Sequence, residues 1–235
     1  MTQRGFLLCA IAAVLFGAST PLAAPLARDM SAPTLAGLLY LGAALAVIPQ
    51  NVRRAPSRPA LRANGGRLAV AVVLGGALGP LFLTMGLART SGASASLLLN
   101  LELVLTVVLA GWFYRENIGP RVAAGTVLVT GGGLLMSSWG TSPDARIGAV
   151  LVAAACLCWA LDNCATANVD QLTPSFITLT KGLIAGGANL AVGLSTGAPP
   201  AAAEAATAVA IGMVGYGLSI TLWVKGAREL GAARG

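Results

Sequence analysis

Histidine is absent from all 235 residues, and only 10% of the chain is charged. Without imidazole, any proton chemistry has to run through carboxylates, and the chain has just eight Asp and Glu residues to supply them. So few charges cannot coat one or two water-soluble cores of this length, which excludes an ordinary soluble domain. Aromatics are scarce at 5%, and the arginines fall between hydrophobic runs without aromatic interleaving, so the net charge of +7 does not describe a nucleic-acid groove. The four cysteines, Cys9, Cys156, Cys158 and Cys164, all lie in apolar segments with no CxxC spacing. Buried thiols acting as small hydrophobes are expected, with no metal site and no cofactor. An intramembrane enzyme would need a nucleophile with its base or a metal cluster, and neither is present.

What the sequence has in abundance is long apolar runs. It is 56% hydrophobic, with a mean hydropathy of +0.80. Hydropathy and turn punctuation predict eight membrane spans, at 5–27, 33–50, 67–88, 93–113, 120–138, 147–168, 174–196 and 205–224. The expected fold is therefore an all-α polytopic membrane protein; a β-barrel would show short alternating strands instead. The basic stretch from Arg53 to Arg67, with Pro56 and Pro59, reads as a loop. The first apolar run reads as an uncleaved helix, because many spans follow it.

The positive charges alternate between loops. Arg4, Arg53, Arg54, Arg58, Arg62, Arg67, Arg115, Arg121, Lys225, Arg228 and Arg234 fall on one side, and Arg28, Arg89 and Arg146 on the other. Eleven against three predicts a cytoplasmic N-terminus.

The chain also resembles itself. Residues 5–47 lie against 148–192 at an offset near 143, matching Phe16 with Trp159, and Gly86 onward lies against Gly226 onward at an offset of 140. This predicts a five-helix unit used twice, the second copy entering the membrane from the opposite face because five is odd. On that reading the second copy stops at Gly235, opposite Ala95, and two helices are expected to be missing.

Polar residues inside apolar spans are the candidate site. Glu102 lies about halfway along its span, with Thr106 one turn on and Asn100 on a nearly opposite face. A carboxyl there lines a cavity as a titrating or substrate-binding group, or is a structural group hydrogen-bonded to neighbouring helices. Asp162 shares a face with Trp159 and Thr166, and Asn163 points about 100° away. Lys181 falls at a depth similar to Asp162, so an ion pair between them is expected, either as a strut or as a contact that breaks during a working cycle. Trp159 anchors an interface or lines a substrate site. The spacings Gly75/Gly79, Gly182/Gly186 and Gly193/Gly197 predict close helix packing, and Pro21, Pro25 and Pro80 mark potential kinks.

The segment GLARTSGASASLLLNLELVLTVVLAGWFYRENI resembles the hallmark stretch of the EamA branch of the drug/metabolite transporter superfamily. The segments FGAST at 16–20, CWALDN in the second half and KGARELGAA at 225–233 resemble the same family, so the likeness covers the whole chain. It implies a first EamA repeat over 1–140 and a second, truncated one over 141–235, with a central cavity between them. The implied activity is secondary transport of small metabolites or drugs, by export or exchange, across a bacterial inner membrane. Lipid and a small-molecule substrate are then the expected partners, and a homodimer is open. The alternative is a transport-inactive fragment or membrane scaffold that associates with another chain. Glu116 matches the family's helix-end motif, although Arg115 stands where a glycine is usual. Leu103 replaces the family's helix-4 proline, so an unbroken helix is expected there.

Overall fold

The computed structural model describes residues 3–52, 56–114, 124–125, 127–128, 131–132, 142–167, 169 and 171–230. The described residues are helical, with no strand among them. Seven helices are long and apolar enough to cross a membrane: α1 (Gln3–Asp29), α2 (Ala32–Asn51), α3 (Arg58–Leu87), α4 (Gly92–Phe113), α5 (Pro143–Thr166), α6 (Pro174–Thr196) and α7 (Ala202–Trp223). They coincide with seven of the eight expected spans. The eighth, 120–138, lies mostly outside the described residues, and Arg115, Glu116 and everything from Gly231 on lie wholly outside them.

The helix starts follow local chemistry. Ser31, Ser57, Ser91, Ser142 and Thr173 each accept a hydrogen bond from the backbone N–H three residues on. Such caps satisfy donors that have no partner within the helix. A proline occupies the first turn of α2, α3, α5 and α6, where its missing N–H costs nothing.

Two features differ from expectation. The stretch Arg58 to Arg67 is not loop but the first turns of α3, started by the Ser57 cap and Pro59. Helix α4 is not a single rod: a turn at Leu99 and Asn100 divides it into Gly92–Leu98 and Leu101–Tyr114. The helix does run unbroken through Leu103, and the break falls one turn earlier. Glu102 consequently sits in the first turn of a new helical segment instead of mid-helix. Helix α1 is also interrupted, at Ala24 and Pro25, where a proline expected to kink it does so.

Helix α2 is the axle of the bundle, packed against α3, α6 and α7. Glycines let these neighbours come close. A Cβ on Gly182 would collide with the Tyr40 carbonyl, one on Gly186 would lie 3.1 Å from the Leu41 nitrogen, and one on Gly193 would lie 2.5 Å from the Thr34 nitrogen. The close packing expected from the small-residue spacing is thus present on α6. Each of the three neighbours also carries a widened π-helical stretch, at Ala71–Leu78, Lys181–Gly186 and Gly212–Leu218. Such stretches leave main-chain carbonyls available to groups from other helices and recur at functional sites.

Candidate functional site

The expected ion pair is formed. The Lys181 ammonium of α6 donates to the Asp162 Oδ2 of α5. Asp162 is only 2% exposed, so its charge is compensated where water cannot reach it. Room for the pair comes from α3: a methyl on Gly75 would fall on the Asp162 carboxylate and 2.9 Å from Lys181 Nζ. Asp162 Oδ1 is buried without a hydrogen-bond partner among the described residues.

Glu102 and Asn163 meet across the α4–α5 interface, Asn163 Nδ2 donating to Glu102 Oε1 at 2.9 Å. Glu102 is half-buried and Asn163 exposed, so this contact lies at the edge of the packed helices and not in their interior. The two sequence neighbours Asp162 and Asn163 therefore serve different partners, as their angular separation on a helix requires. Cys164 Sγ and Thr106, one turn beyond Glu102, close the same interface, the thiol lying 3.9 Å from the Thr106 carbonyl.

Trp159 lies in the interior, not at an interface. Its indole N–H donates to the Gly75 carbonyl at 3.0 Å and lies 3.2 Å from the Tyr40 hydroxyl. Tyr40 donates to the same carbonyl at 2.7 Å. A β-carbon on Gly79 would reach 2.6 Å from Trp159 Nε1, so Gly75 and Gly79 together make the bed for the ion pair and the indole. Asn189 of α6 donates to Ala77 O at 3.1 Å, taking a second carbonyl from the same widened stretch. Tyr216 of α7 stacks obliquely on Tyr40 at 5.8 Å and edge-on with Phe16 of α1 at 5.6 Å, extending an aromatic line through the bundle.

Asn100 stands apart. It is exposed and donates to Leu97 O at 3.0 Å, satisfying a carbonyl at the break in α4. The sequence sets it on a face nearly opposite Glu102, and it takes no part in the Glu102–Asn163 contact. Glu116 lies outside the described residues.

A family model for EamA-like transporters matches residues 3–138, more than half of the chain. The chain belongs to the EamA-like transporter family. Members of this family are transporters, and the apolar helices place this EamA-like chain in a lipid bilayer. No curated protein matches it. A solved crystal structure is similar in fold, with a TM-score of 0.64 at 18% identity, covering 95% of this chain and 78% of the other.

Sequence reasoning missed Tyr40, Gly75 as a shared acceptor, Asn189 and Tyr216. The tyrosines and Asn189 left a trace, each being a polar group inside an apolar run.

Proposed function

We propose that this EamA-like chain is a secondary transporter that moves small metabolites or drugs across a bacterial inner membrane, as an exporter or exchanger, with its N-terminus in the cytoplasm. Glu102, Asn163, Asp162, Lys181 and Trp159 belong to the substrate and ion pathway, and Glu102 is its proton carrier. The observation that carries this reading is the difference between the two membrane-embedded carboxyls. Asp162 is buried and neutralised by Lys181, whereas Glu102 is only half-buried and held by a neutral amide. A group so placed can take and release a proton without breaking an ion pair.

The inverted five-helix repeat belongs to this proposal, and a set of matched contacts supports it. A Cβ on Gly86 of α3 would lie 2.9 Å from Gly148 O and 2.8 Å from Val152 Cγ2 of α5. One on Gly226, in the α7 extension to Leu230, would lie 2.8 Å from Gly5 O and 2.6 Å from Cys9 Sγ of α1. The offsets that align the sequence carry Gly86 onto Gly226, Gly148 onto Gly5 and Val152 onto Cys9. The same operation carries Gly75 onto Gly215, and Asp162 onto Ser19, which lies against Gly215. Two such halves facing each other would enclose a pathway that opens alternately to either side.

Uptake of a panel of amino acids, other polar metabolites and amphipathic drugs into proteoliposomes, with and without a pH gradient, tests the reading. Gradient-driven flux that Glu102→Gln uncouples is expected. Flux indifferent to the gradient would remove Glu102 as the proton carrier.

A further inference from the structure

The helical form of Arg58 to Arg67 changes what this basic stretch can do. A loop would offer its arginines as a mobile cloud; a helix presents them on a fixed face. Ala60, Leu61, Asn64 and Leu68 turn inward, with Ala60, Val169 and Leu172 forming a small core of their own against which Leu61, Leu68, Phe176 and Ile177 pack. Asn64 locks this core by donating to Ala60 O at 3.0 Å and Gln171 Oε1 at 3.4 Å. Arg58 and Arg62, one turn apart, are left on the outer face, both exposed. This segment continues α3 by about 13 Å below Arg67, enough to leave the apolar layer and enter the headgroup region.

Among the described side chains, the surrounding charges have one sign. Gln50 of α2 donates to Thr221 of α7 at 2.9 Å, and Asn51 donates to Ser175 O at the start of α6, so these helix ends lie on one side of the bundle. The close approach of Gly226 to Gly5 brings the start of α1 and the end of α7 to the same side. That side carries Arg4, Arg58, Arg62, Arg67 and Lys225, with no acidic side chain among those described there. Asp170 and Glu229 are close in sequence, Asp170 outside the described residues and Glu229 outside the described side chains. The opposite side is mixed: Arg28, Asp29, Arg89, Asp144, Arg146 and Glu204, with Arg89 Nε 3.8 Å from Asp144 Oδ1.

We propose that the outer face of the α3 extension is a binding surface for anionic phospholipid headgroups, with Arg58 and Arg62 as its phosphate-contacting pair. Guanidinium groups one turn apart on a braced helix match a headgroup phosphate better than a mobile loop, because the geometry is set before the lipid arrives. The surface is independent of whatever substrate the chain carries.

Native mass spectrometry of the purified full chain, from detergent containing equal phosphatidylglycerol and phosphatidylcholine, tests this. The wild type is expected to retain phosphatidylglycerol roughly thirtyfold in preference, as two surface arginines would give. Arg58→Gln with Arg62→Gln brings the preference close to parity, and Arg58→Lys with Arg62→Lys keeps most of it. Thermal unfolding in nanodiscs is the second reading: phosphatidylglycerol raises the Tm of the wild type and not of the glutamine variant. Equal retention of both lipids by the wild type overturns the proposal. So does an anionic preference that the glutamine variant leaves unchanged.

Discussion

The Lys181 ammonium and the Asp162 carboxylate meet directly over Gly75, so a charged pair from two helices is seated on the bare backbone of a third. Removing one partner strands the other charge in low dielectric. Asp162→Asn or Lys181→Met alone is expected to cost about 3–5 kcal/mol, and the double variant clearly less than the sum. Denaturant unfolding in a fixed detergent, run as a double-mutant cycle, measures this, and additive costs would show that the pair is not coupled.

Gly75→Ala probes the seat in place of the pair. Its methyl would coincide with the Asp162 carboxylate, so the pair must separate or the helices must part, at about 1–3 kcal/mol. Gly65→Ala is the control. It lies on the exposed face of α3 with nothing within 4 Å of an added Cβ, and is expected to be neutral or slightly stabilising. Equal stability of the two variants would contradict the contact.

Two donors share the Gly75 carbonyl, so each insures the other. Tyr40→Phe leaves Trp159 in place and is expected to cost about 0.5–1.5 kcal/mol. Combined with Trp159→Phe, it leaves a buried carbonyl bare and adds a further penalty of about 1–3 kcal/mol beyond the summed single effects of lost packing. A strictly additive double variant would mean that the carbonyl finds another donor.

Glu102→Gln keeps an oxygen that can accept from Asn163 while removing the charge. Stability is expected to change by less than about 1 kcal/mol, with the consequence confined to coupling. A variant that unfolds would assign Glu102 a structural role.

The membrane spans were legible because apolar length is a property of a window, insensitive to detail. The pairing of Asp162 with Lys181 was legible for a similar reason, since two opposite charges at one depth have few better partners. The break at Leu99 and Asn100 carries no proline or glycine to announce it, and it moved Glu102 from mid-helix to a first turn. The start of α3 was misread because five arginines outweighed a clear Ser57-x-Pro59 cap. The Tyr40–Gly75–Trp159 junction joins residues 35 and 84 apart in sequence through a carbonyl, a group every residue has, so the sequence marks the polar aromatics but not the acceptor they share.

An ion pair has no net charge. If α5 and α6 move together across the membrane field, Asp162 and Lys181 do no electrical work, whereas an ionised Glu102 carried through the full field would exchange about 2.3 kcal/mol per 100 mV. Currents recorded from this protein would therefore report the protonation state of Glu102 together with the charge of the substrate, and the buried pair would be electrically silent.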